Sequence, residues 1–495
     1  MTSRSVLVIG AGVAGITAAT HLARAGLHVT VVEKDPAPGG RCGRFVREGH
    51  RFDTGPTLFV MPLLYASEFR ALGVALAERL ELRPVDPTYR LVFDDGSQLS
   101  LTSDMTMMRE QLDAIEPGSF AGLERYMGAG ARHYRVVAEK MVNRDFRWPT
   151  DYLRIGALRL LARGNPLANH YRGMSAYFDA PRLKSAFTFQ DLYVGLSPFE
   201  APAMLSLLSF TEIAHGVWYP AGGMYSIVET LAELARDAGV EFALSSEVER
   251  IDVDSTAARG VILANGARLK ADVVLANADL PYVYEQLLPP DGMARSLSRK
   301  RYSCSAISFF WGLDRTYDAL PAHTLFLADD YRANFESIVR DQGLPANPSV
   351  YVHAPARIDA AAAPPDQDTL TAIVPVGHLR SDGAQDWNER RDRAREHVFR
   401  RLRTLGFGDV RDHIKFEQSC TPLTWASRHN LAKGATHGLS HTLTQMGYLR
   451  PRNRHRRYSN LYFAGASTHP GTGVPTAMSS GRLAARRIVA EQGWR

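Results

Sequence analysis

Residues 5–33 read SVLVIGAGVAGITAATHLARAGLHVTVVE, and this stretch decides the fold class of the chain. It opens with β-branched and aliphatic residues, which are typical of a strand buried on both faces of a parallel sheet. Gly10, Gly12 and Gly15 follow in the spacing G-x-G-x-x-G. The first permits a tight turn, the second lets the backbone approach a pyrophosphate, and the third lets the helix pack on the strand.

The rest of this stretch predicts a helix and a second strand. Residues 14–24 are good helix formers, Gly26 can end the helix, and residues 28–33 form an apolar run that closes with Glu33. A carboxylate at that place accepts hydrogen bonds from ribose hydroxyls and repels a 2′-phosphate, so NADP is disfavoured. The glycine pattern alone is weak, but strand, helix, strand and acid in register indicate a dinucleotide-binding βαβ unit.

The segments that follow narrow the choice of dinucleotide. Gly40 and Arg41 lie in a Gly-Gly-Arg run, and the planar donor fork of an arginine suits phosphate, although a surface turn is the alternative. This run resembles the extension of the amine-oxidase-like flavoproteins and favours FAD over NAD. The run DTGPT at 53–57 would return the chain to the flavin, and it supplies Gly55, Pro56 and Thr57.

A β-rich middle segment contributes a third part of the predicted cofactor-binding site. Residues 240–252 predict a strand in which the backbone of Val248 could pair with the adenine edge. Residues 260–269 carry an Asn-Gly pair at a predicted hairpin turn. Residues 271–279 predict a buried strand that returns towards the pyrophosphate. An independent small domain is the alternative interpretation.

Residues 460–481, NLYFAGASTHPGTGVPTAMSSG, predict a second buried strand, a glycine-rich loop and a helix that starts near Thr476. Gly465 can approach the pyrophosphate, and Gly473 and Val474 stand just before the helix, beside the flavin. The positive end of that helix would favour the negative charge of a reduced flavin. The alternative is a Gly/Pro loop that only joins strand to helix.

Length and cysteine content bound the class of protein. The chain has 495 residues, enough for two or three domains, and its hydrophobic content of 45% is that of a globular protein. Its three cysteines show neither a disulfide framework nor a metal-ligand spacing, so we expect no metal and a reducing, cytoplasmic compartment. We recognise no signal or transit peptide, and no apolar run reaches the roughly 18 residues that span a bilayer.

The formal net charge of +6 favours an anionic partner. No nucleic-acid-binding motif is present, so we expect a peripheral, monotopic association with an anionic membrane surface. Residues 152–172 interleave leucines with four arginines, as an interfacial amphipathic helix does, although an ordinary packed helix fits equally well. For the densest basic run, RPRNRHRR at 450–457, a solvated loop or a positive wall near the phosphates is favoured.

Four stretches together resemble the bacterial and fungal phytoene desaturases, which are carotenoid desaturases of the amine-oxidase-like superfamily. They are the βαβ unit with Gly-Gly-Arg, FQDLYVGLSPFEAP (189–202) with GVWYPAGGM (216–224), RYSCSAISFFWGLD (301–314), and GLSHTLTQMGYLRPRNR (438–454) running into the C-terminal segment. The resemblance covers nearly the whole chain. THPGTGVP (468–475) and GVWYPAGGM are more specific than the βαβ unit, which many flavoproteins share.

The resemblance implies an α/β fold with a discontinuous Rossmann-like FAD-binding domain, a mixed-sheet substrate domain and a helical membrane-facing segment. We expect the FAD-binding domain at 1–70, 215–290 and 440–495, the substrate domain at 71–104 and 291–439, and the helical segment at 105–214. It also implies FAD-dependent desaturation of phytoene or a partly desaturated carotene. Hydride would pass to flavin N5, with a quinone or oxygen as the final electron acceptor.

The residues themselves name no catalytic base. His215, His469 and Asp191 lie in the motif regions, but each fits a buried, satisfied polar residue better. The apolar runs at 199–210 and 307–311 could line a substrate tunnel or pack as ordinary core.

Other functions stay open at this point. Carotenoid 3,4-desaturation, oxygenation or isomerisation is an alternative within the same family. A soluble flavin amine oxidase is a second, and it would need an aromatic cage, for which Tyr448 and Trp425 are possible members. A noncatalytic lipid-surface protein that retains a flavin is a third.

Overall fold

The computed structural model describes residues 4–146, 150–151 and 168–494. Its central sheet has five strands: β1 Ser5–Ile9, β2 His28–Val32, β9 Glu241–Ala243, β13 Val273–Ala276 and β19 Leu461–Phe463. They are all parallel and follow the order β19-β13-β1-β2-β9. Because the strands come from three distant parts of the chain, this sheet is discontinuous in sequence, as expected.

The α-helices of the described residues surround this sheet and a second large one. They are α1 Val13–Arg24, α2 Pro62–Ala71, α3 Met105–Ile115, α4 Ser119–Val136, α5 His170–Gly173, α6 Pro181–Ala186, α7 Leu207–His215, α8 Ser226–Asp237, α9 Leu280–Tyr282, α10 Gly292–Ser298, α11 Tyr331–Val339, α12 Trp387–Thr404, α13 Pro422–His429 and α14 Val474–Glu491. Two small antiparallel pairs join them, β3 Arg44–Arg47 with β4 His50–Asp53 and β5 Leu82–Pro84 with β8 Trp218–Pro220.

The first βαβ unit follows its sequence pattern. Helix α1 connects β1 to β2, and the chain leaves β1 through Gly10, whose φ is 97°. Val8 pairs with Val31 on one side and Leu275 on the other, and all three side chains are buried. Burial on both faces of a parallel sheet therefore explains the apolar run.

A three-stranded antiparallel sheet is inserted between β9 and β13. Its strands are β10 Val248–Val253, β11 Ala258–Leu263 and β12 Arg268–Lys270. Gly266 has a φ of 83° in the turn between β11 and β12, which is the left-handed conformation that an Asn-Gly hairpin turn requires. The predicted hairpin is confirmed.

The second large sheet is mixed and has seven strands. They are β6 Tyr89–Val92, β7 Gln98–Leu101, β14 Ser305–Leu313, β15 His323–Phe326, β16 Val350–His353, β17 Asp368–Val376 and β18 Ile414–Cys420. Their order is β18-β14-β17-β16-β15-β6-β7, in which β15 and β6 are parallel and the other neighbours are antiparallel.

The two faces of the seven-stranded sheet differ in chemistry. One face packs apolar side chains such as Phe309 and Trp311 against helix α12. The opposite face carries Tyr89, His323 and Tyr351, whose rings contact one another. The sheet therefore separates an apolar core from a buried polar layer.

Of the two interpretations of residues 307–311, tunnel lining or ordinary core, the structure supports core packing. Ile307, Phe309 and Trp311 are fully buried in the core between the seven-stranded sheet and α12. They alternate along β14, and a strand places alternate side chains on one face. Their apolar character is therefore explained by core packing.

The described residues between α3 and α7 are mainly helical. Residues 152–167, which make up most of the predicted amphipathic segment, lie outside the described residues. The domain bounds expected from the sequence stay a prediction, and the pairing of β5 with β8 links pieces assigned to two of those domains. Across residues 4–146, 150–151 and 168–494, no helix is long and apolar enough to cross a membrane, and no group of three His, Cys, Asp or Glu could hold a metal ion.

Helix α14 packs directly on α1. A Cβ at Gly481 would lie 2.3 Å from the carbonyl oxygen of Ala14 and 3.0 Å from the backbone nitrogen of Ala18. The helix begins at Val474, slightly earlier than predicted, because Pro475 is accommodated inside its first turn, where no N–H is needed.

We expect Gly481→Ala to destabilise the protein by about 1–3 kcal/mol, since the added methyl group overpacks the contact between α1 and α14. Gly128→Ala is the matched control, because Gly128 is exposed within α4 and a Cβ there would have its nearest neighbour at 3.7 Å. The control should gain up to about 1 kcal/mol, since alanine is the better helix former. Urea unfolding followed by tryptophan fluorescence measures both, and a wild-type free energy of unfolding for Gly481→Ala would contradict the close contact.

Candidate functional site

The strands β1, β13 and β19 end at a junction filled by one side chain, Asn277. Its amide nitrogen donates a hydrogen bond to the carbonyl oxygen of Ala464 at 3.0 Å. A Cβ at Gly12, Gly15 or Gly465 would lie between 2.7 and 2.9 Å from the oxygen or nitrogen of this amide. Three glycines that the sequence predicts at the cofactor therefore surround one asparagine, and none of them has room for a side chain.

Glu33 lies beside this junction, just beyond β2. Its Oε2 accepts a hydrogen bond from the backbone N–H of Ala11 at 2.7 Å, and its Oε1 accepts one from the N–H of Asp35 at 2.9 Å. The side chain is buried. Each carboxylate oxygen has a second lone pair, so the group can still accept hydrogen bonds from a ribose diol.

Val248 opens β10 close to Glu33. The N–H of Ser246 donates to the carbonyl oxygen of Glu33 at 2.7 Å, and the side chain of Val248 packs with Leu7 and Val32. The predicted adenine-side residue and the predicted ribose-side residue thus lie together at one end of the site.

The Gly-Gly-Arg run crosses the same edge of the sheet. A Cβ at Gly40 would touch the Cα of Gly12 at 3.6 Å, so the two backbones lie side by side. A Cβ at Gly55 would lie 2.0 Å from the carbonyl oxygen of Arg41. Gly55 and the half-buried Pro56 therefore bring the DTGPT segment against this run.

Arg41 and Asp279 line a small cavity at the carboxyl ends of β13 and β19. Arg41 Nη1 donates to the carbonyl oxygen of Thr436 at 2.9 Å, and the hydroxyl of Ser467 donates to Asp279 at 2.6 Å. Burial lowers the pKa of Arg41 and raises the pKa of Asp279, and each group opposes the shift of the other. The remaining lining consists of Asn277, Ala278, Leu280 and residues 463–468. Ligands of open parallel sheets bind in such a crevice.

Arg450 fastens the loops behind this cavity. Its buried guanidinium donates to the carbonyl oxygens of Leu439, Ser440, Gln445, Ala466 and Thr468. Burial lowers its pKa to about 9, so it remains protonated at neutral pH. The first arginine of the basic run is therefore not on a solvated loop, as one interpretation of the sequence had it, but inside the protein.

Gly473 and Val474 mark the start of α14. Gly473 is exposed and has a φ of 112°, which turns the chain into the helix. Val474 precedes Gly481 by about two turns, which is roughly 10 Å along the helix axis. The start of the helix therefore lies about 10 Å from the contact of Gly481 with α1. Nearby, Nε2 of His441 accepts the N–H of Thr472 at 3.0 Å, and burial holds the pKa of His441 well below its usual value.

The two ends of the DTGPT segment have different partners. Asp53 accepts the backbone N–H groups of Met224 and Tyr225 at 2.8 and 3.1 Å, just before α8, and burial raises its pKa to about 6. The hydroxyl of Thr57 lies 2.8 Å from the hydroxyl of Tyr351 on the polar face of the seven-stranded sheet. Asp53 therefore organises the PAGGM turn, whereas Thr57 contacts the seven-stranded sheet.

Of the polar residues that lie in the motif regions, Asp191 is a satisfied structural group, whereas His215 and His469 each have a buried Nδ1 without a hydrogen-bond partner among the described residues. The carboxylate of Asp191 contacts Nδ1 of His170 at 2.9 Å, and both side chains are buried. Nε2 of His469 lies 3.2 Å from the carbonyl oxygen of Met141, and His215 packs on aromatic rings. The structural role of Arg450 could not be predicted from the sequence, because nothing in a basic run shows which of its arginines is buried.

The arrangement fits a flavin dinucleotide. The glycine-lined start of α1 and the Arg41 guanidinium are donors for a diphosphate, and Glu33 is an acceptor for a ribose. The start of α14 carries the partial positive charge of a helix N-terminus, to which an electron-rich group could bind. Among the described residues, the predicted positions follow one edge of the five-stranded sheet from Val248 to Val474.

Comparisons with known proteins agree with this fit. A family model described as flavin containing amine oxidoreductase matches residues 13–489. A phytoene desaturase of Fusarium fujikuroi is 41% identical over 99% of this chain and 90% of that protein. A zeta-carotene-forming phytoene desaturase of Myxococcus xanthus is 41% identical over 98% of this chain and 94% of its own length. A 4,4'-diapophytoene desaturase (4,4'-diaponeurosporene-forming) of Staphylococcus haemolyticus is 33% identical over 98% of both chains.

Solved structures share the fold at low sequence identity. An oxidoreductase from Methanosarcina mazei gives a TM-score of 0.63 at 16% identity, over 97% of this chain and 99% of that one. Putrescine oxidase with bound putrescine gives 0.64 at 16% identity, over 99% of both chains. Cyclohexylamine oxidase from Brevibacterium oxydans gives 0.58 at 17% identity, over 99% of this chain and 100% of that one. At such identities the likeness establishes the fold alone.

We expect Glu33→Gln to weaken retention of the flavin by about tenfold or more, because a neutral amide is a poorer acceptor for ribose hydroxyls than a carboxylate. Glu249→Gln makes the same chemical change at an exposed position of β10 and should leave flavin content unchanged. Flavin absorbance per mole of protein after dialysis measures both variants. A wild-type flavin content in Glu33→Gln would count against its ribose role.

Proposed function

This chain belongs to the flavin containing amine oxidoreductase family, and we propose that it is an FAD-dependent carotenoid desaturase. The observation that carries the proposal is its full-length identity of 41% to phytoene desaturases from Fusarium fujikuroi and Myxococcus xanthus. The enzyme removes hydrogen from a C–C bond of phytoene or a partly desaturated carotene. Bound FAD supplies the redox chemistry by accepting a hydride at flavin N5.

The edge of the five-stranded sheet would hold this cofactor. In the proposed arrangement Val248 lies against the adenine through its backbone, Glu33 accepts the ribose hydroxyls, and Arg41 and the start of α1 bind the diphosphate. The other members of the proposed cofactor site are Gly10, Gly12, Gly15, Gly40, Gly55, Pro56, Thr57, Gly465, Gly473 and Val474.

Two features of the chain favour negative charge at the flavin end of this site. The start of α14 carries the partial positive charge of a helix N-terminus. Arg450 adds a full buried charge behind the loop at 466–468, and its described hydrogen-bond partners are all carbonyl oxygens. Both features stabilise the reduced cofactor relative to the oxidised one.

The amine oxidase alternative is not supported by the aromatic residues considered for it. Trp425 packs with Phe52 and Phe310, and its Nε1 donates to a backbone carbonyl. Tyr448 has the guanidinium of Arg452 over its ring. The two aromatic rings thus have different surroundings, whereas the three relatives compared above are all desaturases.

We further propose a peripheral attachment to an anionic membrane and a quinone or oxygen as the final acceptor. A long hydrocarbon resides in the bilayer core, so the enzyme must take it from there. The net charge of +6 and the arginines within residues 152–172 support attachment to anionic lipid.

We expect the FAD-loaded protein to convert phytoene in anionic liposomes into pigments with longer conjugated systems under anaerobic conditions. Without a quinone the oxidised flavin should bleach, and with a quinone turnover should continue. Visible spectra of extracted pigments count the double bonds added, and protein stripped of FAD is the control. Colourless extracts with the flavin still oxidised would reject phytoene as substrate.

We expect replacement of Arg154, Arg159, Arg163 and Arg172 by Gln to lower sedimentation with anionic liposomes by at least tenfold, since each surface charge contributes about 1 kcal/mol. A control that removes four exposed charges elsewhere, at Arg340, Arg393, Arg400 and Arg403, should sediment like the wild type. Equal sedimentation of both variants would place the docking surface outside residues 152–172.

A further inference from the structure

A buried carboxyl group on α7 lies at the end of the polar layer. Glu212 is 5% exposed. Its Oε1 accepts a hydrogen bond from the hydroxyl of Tyr193 at 2.5 Å, and its Oε2 accepts one from Nε2 of Gln190 at 3.1 Å. Both donors are uncharged, and no arginine, lysine or histidine of the described residues forms an ion pair with it.

This environment sets Glu212 apart from the buried acids that stabilise the fold. Glu68 is paired with Arg482 at 2.8 Å, and Asp191 with His170 at 2.9 Å. An ionised carboxylate without a cation is costly in the interior, so burial raises the pKa of Glu212 to about 7, against the effect of its two hydrogen bonds. The group therefore takes up and releases a proton near neutral pH.

Hydroxyl groups connect Glu212 with Tyr89, and a ring contact continues towards the proposed cofactor site. The hydroxyls of Tyr193 and Tyr89 are 2.6 Å apart. Because Tyr193 gives its one proton to Glu212, Tyr89 must donate to Tyr193. The ring of Tyr89 contacts that of Tyr351 at 6.1 Å between centroids, and Tyr351 is bonded to the hydroxyl of Thr57, a residue of the proposed cofactor site.

We propose that Glu212 accepts the proton that desaturation releases, by way of the hydroxyl of Tyr193. The proposal rests on the proposed desaturase function. Desaturation removes one hydrogen together with its electron pair, which FAD accepts, and a second hydrogen as a proton, whose former bonding pair becomes the new π bond. The proton reaches the oxygen of Tyr193 while Tyr193 passes its own to Glu212, so only the carboxylate changes charge.

The surroundings of this network favour a proton acceptor within the protein over bulk water. Tyr89 and Tyr193 belong to an apolar cluster that also contains Phe189, Leu58 and Leu192. Burial raises the pKa of both tyrosines well above the usual value, so both stay neutral. Partial exposure of Tyr193 brings the network to an accessible space.

Other titratable groups near Glu212 are few among the described residues. Tyr126 lies close enough for the charges of Asp191 and Glu212 to raise its pKa, and the ring of His323 contacts that of Tyr89 at 5.8 Å. The amide oxygen of Gln190 is fully buried and has no hydrogen-bond partner among the described residues. This unsatisfied acceptor can receive the hydroxyl of Glu212 once the carboxyl is protonated and the amide has turned, which gives the neutral state a partner as well.

The decisive variant is Glu212→Gln, which keeps the shape and the hydrogen-bond acceptor but cannot take up a proton. We expect kcat with phytoene to fall by about 100-fold or more while KM stays within a factor of two. In the wild type kcat/KM should fall as pH drops through about 7, because the carboxyl is then already protonated, and this limb should be absent in Glu212→Gln. Glu212→Asp should restore part of kcat and the pH limb, and Tyr193→Phe should lower kcat without removing the limb.

An infrared titration supplies a readout that does not depend on turnover. A C=O stretching band of a protonated carboxyl should disappear from the FAD-loaded wild type as pH rises through about 7 and should be missing in Glu212→Gln. Asp191→Asn is the matched control, since it neutralises a neighbouring buried carboxylate and should keep both this band and the pH limb of kcat/KM.

The outcomes separate this inference from the proposed function. A wild type that never desaturates a carotenoid would reject the proposed function itself. A wild type that desaturates, with Glu212→Gln equally fast and equally dependent on pH, would reject Glu212 as the proton acceptor while the function stands. Loss of the band and of the pH limb in Asp191→Asn instead would overturn the assignment to Glu212.

Discussion

The amide of Asn277 occupies the point where three strands from distant parts of the chain come to an end. Its nitrogen binds the carbonyl oxygen of Ala464, and its atoms stand so close to Gly12, Gly15 and Gly465 that none of them could carry a side chain. The parallel sheet requires that β1, β13 and β19 end at one edge, and the glycines let their loops converge there. The site therefore follows from the way in which the strand ends converge. The contacts that assemble the fold there require glycines, so this part of the backbone carries no side chains.

The converging loops bury the charge of Arg450, and backbone carbonyl oxygens replace the water that its guanidinium loses. Arg450 has five carbonyl oxygens around its guanidinium, which together tie residues 439–445 to residues 466–468. A buried cation is tolerated only when its donors are satisfied. This clasp holds the glycine-rich loop before α14 in place and puts a buried guanidinium behind the cavity.

The sequence predicted the parts of this protein that are local. The βαβ unit, the Asn-Gly hairpin and the helix after the C-terminal glycine loop each carry their signal within a few residues, and the structure has all three. Contacts between distant segments left no such signal. The apolar run at 307–311 was open to two interpretations, and only the pairing of β14 shows that it is core. In the sequence Glu212 is a lone acid in an apolar helix, because Tyr193 and Gln190 contact it only after folding.

A carotenoid desaturase has to combine two conflicting requirements. Its substrate is a hydrocarbon, which needs apolar walls without competing water, but its reaction releases a proton, which apolar walls cannot accept. Near Glu212 both requirements meet in one cluster, where the hydroxyls of Tyr89 and Tyr193 lie among Phe189, Leu58 and Leu192. The same exclusion of water raises the pKa of Glu212 to about 7, far above that of an exposed glutamate. Burial makes a permanent charge costly, and for that reason Glu212 can be ionised before the reaction and protonated after it.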